Sequence, residues 1–423
     1  MDVSETQNHD VIVVGGGPAG ATVAALVAVA GRSVLLLDRE AFPREHIGES
    51  LMPATYWILE RLGVLDRMGK SPFPRKHSVQ FYTSSGKASA PFYFRQIEDH
   101  DSSVSWQVDR ARFDQLLLDN AREKGVEIWQ PANVKDVTFD GDRASGITVE
   151  LPDGTRERLT ARVVVDCSGQ TGLISRKLGL KNPDPILENA SLYTRYRGAV
   201  RDCGIDEGAT LILRTQSERT WFWYIPLPED TVSVGVVGPI QTLLGKRGGD
   251  LQRMFDEDVA RCPAISGRIA NASQVMPVKA VRDFSYISHR IAGDGWVVAG
   301  DAFGFLDPIY STGVFFAMKS AEMAADSILD AFEKDDVSAA TLGQHGDRFV
   351  HGMESLRKLV YAYYDESFSI AAFARDNREH RDTLVHLLIG NVFRRPVAGL
   401  FESMGRSIEL PEARTLTPLE EAR

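Results

Sequence analysis

The chain has 423 residues, with 48 Lys and Arg against 58 Asp and Glu, which gives a net charge of −10. Apolar residues make up 43% of the chain and charged residues 25%, an ordinary balance for a globular protein with a large buried core. An acidic chain without a basic cluster excludes a nucleic acid as the expected partner, because phosphate contacts need clustered Lys and Arg.

The first predicted unit reads strand, turn, helix, strand. Residues 11–14 are a short apolar run, as expected for a parallel strand buried on both faces. Residues 15–20 form a glycine-rich turn, and the Ala- and Leu-rich residues 21–30 form a helix. Residues 34–37 are the second strand, which ends at Asp38. The glycine turn also argues against a membrane span in this apolar region.

The later elements alternate between two patterns. We predict sheet strands at 79–82 and 91–94 and an antiparallel meander at 210–214, 220–226 and 231–237. A further buried strand is expected at 163–166, and 296–299 returns to the parallel sheet. Helices are expected after an N-cap at Asp109, over 312–332 and beyond 345. The predicted fold is therefore α/β: a Rossmann-like parallel-sheet domain, an inserted, mostly antiparallel β substrate domain and a C-terminal helical segment. The predicted boundaries are 1–70, 108–178 and 288–345 for the first domain, 71–107 and 179–287 for the second, and 346–423 for the helical segment.

Cysteine usage and the N-terminal residues give two further expectations. The three cysteines are scattered and form no CxxC pair, so neither a disulfide framework nor a metal site is expected. Residues 1–10 are polar and acidic, unlike a signal peptide, so the expected location is the cytoplasm, without a membrane partner.

The glycine turn has the spacing of a dinucleotide site. Gly15, Gly17 and Gly20 follow a strand and open a helix, and Asp38 stands at the end of the next strand. The glycines permit a tight turn and a close approach of the backbone to a pyrophosphate, which the helix N-terminus favours. The Asp38 carboxylate can accept hydrogen bonds from a ribose. This context predicts a nucleotide cofactor.

Two later stretches identify that nucleotide as FAD by resemblance. Residues 165–169 and 300–308 resemble segments of the FAD-dependent monooxygenase superfamily, as does the stretch 109–114. The resemblance implies that Asp301 binds the ribityl or ribose part of FAD and that Arg110 lies beside the cofactor. Ser311, Thr312 and Gly313 precede a long helix, whose N-terminus can stabilise a reduced flavin or hold a small anion such as chloride.

Residues 221–226, Trp-Phe-Trp-Tyr-Ile-Pro, are the most informative run in the chain. On a strand, Trp221, Trp223 and Ile225 share one face, and the plainest interpretation is an aromatic core. The run also matches the W-x-W-x-I-P signature of the flavin-dependent halogenases, which this sequence resembles from about residue 8 to 375. Four further stretches resemble segments of the same family. The stretch with Arg44, Glu49 and Ser50 resembles the segment beside the flavin, and the loop with Lys76 resembles the one that presents the family's catalytic lysine. The other two are the turn 307–313 and residues 361–373.

The resemblance implies a reaction and its residues. FADH2 from a separate flavin reductase reacts with O2 to give a flavin hydroperoxide, which chloride or bromide held near Thr312 and Gly313 attacks. The hypohalous acid moves to Lys76, which hydrogen-bonds it or forms a haloamine and delivers the halogen to an electron-rich aromatic carbon. Trp221 and Trp223 would keep the small aromatic substrate away from the flavin, and Lys suits the relay because its pKa falls on burial.

The substrate class follows from a departure. The tryptophan halogenases carry Glu directly before Ser-Thr-Gly, whereas this chain has Tyr310, which favours a phenol or a pyrrole, free or bound to a carrier protein. His77 follows Lys76 where glycine is common, so an acid–base role for His77 stays open. Three alternatives also stay open: an aromatic hydroxylase, a reductase like the geranylgeranyl reductases, and a flavin-binding protein without chemistry of its own.

Overall fold

The computed structural model describes residues 5–417 except positions 97, 246, 283 and 398. The outermost residues of the predicted first and last segments, 1–4 and 418–423, lie outside this part. The strands are β1 Glu5–Val14, β2 Val34–Leu37, β3 Arg75–Lys76, β4 Ser78–Tyr82, β5 Phe92–Tyr93, β6 Ser105–Trp106, β7 Glu127–Trp129, β8 Asn133–Asp140, β9 Arg143–Glu150, β10 Arg156–Asp166, β11 Lys181–Pro183, β12 Asn189–Arg197, β13 Thr210–Arg214, β14 Trp221–Leu227, β15 Thr231–Pro239, β16 Ser273–Gln274, β17 Lys279–Arg282, β18 Tyr286–Ser288, β19 Ala292–Gly293, β20 Trp296–Val298 and β21 Gly304–Phe305.

The helices complete the described elements. They are α1 Pro18–Val29, α2 Thr55–Arg61, α3 Leu65–Lys70, α4 Arg110–Glu123, α5 Leu173–Lys177, α6 Ile240–Leu243, α7 Leu251–Ala260, α8 Pro263–Ile269, α9 Thr312–Glu333, α10 Ala339–Leu342, α11 Gly346–Tyr364, α12 Ile370–Asp376, α13 Arg381–Leu388 and α14 Leu400–Met404. In the described part of the chain, none of these helices combines the length and the apolar composition needed to cross a membrane.

The first large sheet is built on parallel strands in the order β20-β10-β1-β2-β7. Its central strands are buried on both faces: Val11, Ile12 and Val13 have no exposed surface. Helix α1 begins at Pro18, three residues earlier than expected, because proline suits the first turn of a helix. Helices α4 and α9 pack against α1. The carboxyl ends of these strands meet along one edge, which is where ligands bind in such sheets.

The second large sheet has the order β16-β12-β15-β14-β13-β4-β5 and is antiparallel except between β13 and β4. Strand β14 lies near its centre, and all seven of its residues are buried. Trp221, Trp223 and Ile225 belong to the core shared with the parallel sheet, whereas Phe222 and Tyr224 belong to a separate core on the other side. The predicted alternation of this strand is confirmed.

The predicted fold class is confirmed, and the helices after residue 345 are present. The domain boundaries stay a prediction. Strands β8 and β9 form a hairpin that pairs with β10 at the side of the parallel sheet and was not predicted. Its strand β8 has one fully buried position, Val137, among half-exposed and exposed residues, so a clear apolar alternation was absent. The predicted strand 91–94 is shorter, and Phe94 begins a 3-10 turn.

Candidate active site

The glycine turn lies at the carboxyl edge of the parallel sheet, between β1 and α1. Gly15 has a φ of 105°, and a Cβ there would lie 2.3 Å from the Cys167 carbonyl oxygen. A Cβ at Gly20 would lie 1.8 Å from the Gly15 carbonyl oxygen. Both positions therefore require glycine. Gly17 is the N-cap of α1 and supplies no side-chain cap, so the helix N-terminus is available to a phosphate.

Asp38 holds this turn from the neighbouring strand. Its Oδ2 accepts a 2.7 Å hydrogen bond from the Gly16 amide, and its Oδ1 accepts one of 2.9 Å from the Glu40 amide. The carboxylate is 7% exposed. Asp38 thus fixes the glycine turn, and its second lone pairs remain available to a ribose at the same edge.

Two arginines share one buried carboxylate beside the turn. Arg110 donates to both oxygens of Asp114, at 2.8 and 2.9 Å, and Arg44 lies 3.3 Å from the same side chain. A Cβ at Gly17 would come within 3.4 Å of the Arg44 guanidinium, so Arg44 stands over the glycine turn. Burial raises the pKa of the Asp301 carboxyl to about 6, and the nearby Arg110 charge opposes that rise. Arg44, Arg110, Asp301 and the glycine turn therefore converge.

Glu49 and Ser50 lie next to each other but have different partners. Glu49 is 1% exposed and accepts hydrogen bonds from Arg195 at 2.7 and 3.0 Å. Burial raises the Glu49 pKa, and the Arg195 charge opposes this. Ser50 instead contacts Lys76 and Thr210. The structure thus places Ser50 beside the lysine, and its predicted cofactor contact stays a prediction.

The N-terminus of α9 has the features of a small-anion site. Ser311 adopts the left-handed conformation with a φ of 59° and makes no side-chain cap, and the first turn contains no acidic residue. The Thr312 side chain is 1% exposed, and its Oγ1 has no hydrogen-bond partner. A Cβ at Gly313 would lie 2.7 Å from the Phe305 ring. A buried, unpaired hydroxyl at an uncapped helix N-terminus is suited to an anion.

The two tryptophans of β14 form a fixed aromatic face. Their ring centroids are 6.4 Å apart. Trp223 donates to Ser233 Oγ at 3.1 Å, and its ring lies over Gly235, where a Cβ would come within 2.2 Å of it. Trp221 donates to the Tyr364 hydroxyl at 2.8 Å. Each indole N–H is therefore hydrogen-bonded, which restricts the rotation of the two rings.

A buried network joins Trp221 to the turn before α9. The Tyr364 hydroxyl and the Asn189 amide donate to Asp307 Oδ2 at 3.0 and 2.9 Å, and the Ile309 amide donates to Oδ1 at 3.0 Å. Asp307 has no exposed surface, and burial raises its pKa to about 6. Asp307 stands in a motif that the sequence shows, but its partners at residues 189 and 364 were not predicted, because they are distant in sequence.

Lys76 is buried by the pairing of two short strands. In β3, Arg75 is exposed and Lys76 is 4% exposed, because alternate residues face opposite sides. Lys76 Nζ lies 2.9 Å from Ser50 Oγ, within hydrogen-bond distance, and donates to the Leu51 carbonyl oxygen at 3.3 Å. Within the described part of the chain, no carboxylate bonds to it. Burial consequently lowers the Lys76 pKa to about 7.

The residues at this edge of the sheet fit FAD. The uncapped α1 N-terminus and Arg44 suit a pyrophosphate, while Asp38 and Asp301 suit hydroxyl groups of the ribose and ribityl parts. Among the described residues, no group of three His, Cys, Asp or Glu side chains could hold a metal ion. Tyr310 is buried and donates to the Leu359 carbonyl oxygen at 3.2 Å, so no carboxylate stands at that position.

Comparisons with known proteins agree with this geometry. Residues 8–342 match the family model for an FAD binding domain. A 1H-pyrrole-2-carbonyl-(peptidyl-carrier protein) chlorinase of Pseudomonas fluorescens is 31% identical over 91% of this chain and 90% of its own. The corresponding brominase of Pseudoalteromonas luteoviolacea is 32% identical over 92% of this chain and 94% of its own. The solved structure of the flavin-dependent brominase Bmp2 matches with a TM-score of 0.85 and 30% identity, covering 95% of this chain and 99% of that one.

Proposed function

Because the chain belongs to the flavin-dependent halogenases, enzymes that use FADH2 and halide, we propose that it halogenates a pyrrole ring carried on a carrier protein, with Lys76 as the relay. The family membership carries the reaction class, the halogenation of a pyrrole or another aromatic substrate. The assignment of individual residues and of the tethered substrate is our proposal. The strongest support for Lys76 as the relay is that its side chain is buried and that no carboxylate among the described residues bonds to it.

The residues around the cofactor and the halide have separate tasks. Gly15, Gly17 and Gly20 bring the backbone close to the pyrophosphate, and Asp38, Arg44, Glu49, Arg110, Asp301 and Ser311 complete the proposed flavin site. FADH2 and O2 supply the oxidising equivalent that converts halide into hypohalous acid. The Thr312 hydroxyl and the α9 N-terminus hold the halide, because both present unpaired donors at a buried position.

Lys76 then positions the oxidised halogen for transfer. Its amine either donates a hydrogen bond to hypohalous acid or forms an N–X bond as the O–X bond breaks and water leaves. The first role needs an N–H group and the second a lone pair, and a lysine whose pKa is about 7 offers both near neutral pH. Trp221 and Trp223 form the wall that keeps the ring away from the flavin, which disfavours direct hydroxylation.

The test of the relay compares two lysine variants. Lys76→Ala should abolish halogenation, while reduced flavin still consumes O2 at the wild-type rate. Lys70→Ala, at an exposed lysine of α3, is the matched control and should halogenate normally. The products are measured by mass spectrometry as halogen isotope patterns. Normal halogenation by Lys76→Ala would remove the relay from the mechanism.

A surface cleft supports a tethered substrate. It has a volume of about 200 Å³ and lies where β13 ends and β14 begins, beside Trp221. Arg214 lies 4.6 Å from the Tyr363 ring centroid, and Arg219 lies 5.3 Å from that of Tyr364. Glu218 and Glu366 also line the cleft, and each arginine donates one hydrogen bond to a carbonyl oxygen. The remaining guanidinium N–H groups suit the phosphodiester of a phosphopantetheine arm. Arg214 and Thr210 stand at the two ends of β13, four residues or about 13 Å apart. The cleft therefore lies towards one end of this strand, and the lysine lies towards the other end, near Thr210.

Kinetics with two forms of the substrate test this approach. Arg214→Gln should raise the KM for a pyrrolyl group on its carrier protein and leave the KM for a free pyrrole unchanged. Equal effects on both forms would contradict a role in recognising the arm. Wild-type enzyme that halogenates only the free ring would contradict the tethered substrate itself.

The electron donor and the location complete the proposal. We assign the reduction of FAD to a separate flavin reductase, so the enzyme alone should not oxidise NADH, whereas a hydroxylase or a reductase of the same superfamily should. Addition of a reductase should start halogenation. A cytoplasmic location is part of the proposal, and fractionation of the producing cells would test it.

A further inference from the structure

A chain of three polar side chains ends at Lys76. Its amine lies 2.9 Å from Ser50 Oγ, which lies 2.9 Å from Thr210 Oγ1, and Gln107 Nε2 lies 2.8 Å from the same Thr210 oxygen. All four side chains are buried, with exposures between 0 and 6%. Four segments meet here: residues 50 and 107 pair as a β-bridge, β3 pairs with β6, and Thr210 begins β13.

The direction of the chain is fixed at its far end. The Gln107 amide nitrogen donates to the Gly208 carbonyl oxygen at 2.9 Å as well as to Thr210. A carbonyl oxygen only accepts, so the amide cannot be turned with its oxygen towards Gly208. The two N–H groups of Gln107 are thereby both used. Thr210 must accept from Gln107, which leaves the Thr210 hydroxyl hydrogen to be donated to Ser50.

The protonation state of Lys76 decides whether every hydrogen in the chain is paired. When the amine is neutral, Thr210 donates to Ser50 and Ser50 donates to the nitrogen lone pair, so each hydroxyl has an acceptor. When the amine is an ammonium ion, Ser50 accepts from it and donates to Thr210. Among the described hydrogen bonds, the Thr210 hydroxyl then has no acceptor, which is costly in a buried site.

We propose that Gln107, Thr210 and Ser50 are positioning residues that hold Lys76 as a neutral amine in one orientation. The inference rests on the proposed role of Lys76. Ser50 and the Leu51 carbonyl oxygen occupy two of the tetrahedral positions of Nζ, and Cε occupies a third. Because Ser50 occupies the lone pair of the neutral amine, the remaining position is an N–H, which donates a hydrogen bond to hypohalous acid. The Phe94 ring centroid also lies 5.7 Å from Nζ. The burial that lowers the Lys76 pKa acts in the same sense.

The charged and titratable groups around this segment are engaged elsewhere. Arg75 donates to the Gly69 carbonyl oxygen at 3.1 Å and lies 4.8 Å from the Trp106 ring centroid. Asp206 accepts from Ser78 and Tyr93. Glu49 pairs with Arg195. The remaining neighbour is His77, whose pKa is lowered by burial and by Arg75 and Arg95. None of these groups bonds to the Lys76 amine.

The decisive variant is Gln107→Glu, which replaces the donor at the end of the chain by an acceptor. Thr210 then donates to the new carboxylate, Ser50 donates to Thr210, and the ammonium ion donates to Ser50, so every hydrogen is paired in the charged state. We expect the acidic limb of the halogenation pH profile to move upward by at least about one pH unit. O2 consumption by reduced flavin, measured at the same pH values, should not change.

A second substitution distinguishes the effect of the hydrogen-bonded chain from the effect of the added negative charge alone. Gln107→Glu with Thr210→Val keeps the carboxylate and interrupts the chain, so most of the shift should disappear. Gln107→Glu with Thr210→Ser keeps a hydroxyl and should show the full shift. A shift that persists in the Val double variant is a simple field effect and overturns the proposal, as does a Gln107→Glu profile identical to that of wild type.

Two further measurements keep the test decisive. If Gln107→Glu does not bind FAD, Gln107→Met removes the donor without adding charge and frees the Gly208 carbonyl oxygen as an acceptor for the Thr210 hydroxyl, so it should give a smaller shift in the same direction; no shift overturns the proposal. Halogenation by Lys76→Ala would instead refute the relay itself, so the two failures are distinguishable.

Discussion

Lys76→Met should make the stability of the protein less dependent on pH between about pH 7 and 10.5. Burial lowers the Lys76 pKa from its ordinary value of 10.5 to about 7. In that interval the unfolded chain binds a proton at this lysine and the folded chain does not, so the unfolded state carries more protons. The free energy of unfolding therefore rises with pH across the interval and loses this contribution as the pH falls.

The magnitude follows from the two pKa values. They differ by about 3.5, and each pKa unit corresponds to about 1.4 kcal/mol, so the contribution is about 5 kcal/mol over the whole interval. Methionine has a similar length and no titrating group. Relative to wild type, the Lys76→Met variant should gain about 1.4 kcal/mol for each unit by which the pH falls from 10.5 towards 7, and nothing more below pH 7.

Denaturant unfolding at a series of pH values measures this difference. Tryptophan fluorescence is a suitable probe, because Trp221 and Trp223 lie in the sheet that adjoins the lysine. Other titrating groups act equally on both proteins and cancel in the difference. Lys70→Met, at an exposed position, should show a pH-independent difference from wild type. A pH-independent difference for Lys76→Met as well would refute the argument that the amine is buried without a counter-charge.

Three further variants test the other parts of the site. Gly20→Ala places a Cβ 1.8 Å from the Gly15 carbonyl oxygen, so the ratio of flavin to protein absorbance should fall sharply; a full complement of flavin would contradict the proposed pyrophosphate turn. Thr312→Val should raise the halide concentration needed for half-maximal halogenation about 10- to 100-fold, the worth of one hydrogen bond to an ion, and an unchanged requirement would place the halide elsewhere. Gly235→Ala forces the Trp223 ring to move, at a cost of about 1–3 kcal/mol, so the melting temperature and the yield of halogenated product per O2 should both fall; an unaltered yield would argue against the aromatic wall.

The parts of this molecule that the sequence predicts correctly are those whose evidence is local. The apolar run 11–14, the glycine spacing that follows it and Asp38 all lie within one strand–helix–strand unit, and their contacts are mutual. The alternation of Trp221 and Trp223 needs only the period of a strand. Such features predict the α/β class and the position of the nucleotide turn.

The parts that the sequence does not predict depend on contacts between distant segments. Ser50, Gln107 and Thr210 surround Lys76 but are separated by 57 and 103 residues, and none of them stands in a recognisable motif with the lysine. Asp307 meets Tyr364 and Asn189 in the same way. A hydrogen-bonding side chain has many possible partners in a sequence, and only the register of the strands selects the real one.

The proposed roles of Trp221 and Trp223 and of the polar chain that ends at Lys76 share a physical requirement. These side chains must keep their positions when the oxidised halogen passes. A tryptophan ring whose N–H was free could swing aside and let a substrate reach the flavin. Here Trp223 is tied to Ser233 and confined by Gly235, and Trp221 is tied through Tyr364 to Asp307, on the turn that leads into α9. The turn at the proposed halide site is thus linked to Trp221 by hydrogen bonds. Movement of the Trp221 indole would therefore disturb the turn before α9, where we propose that the halide binds.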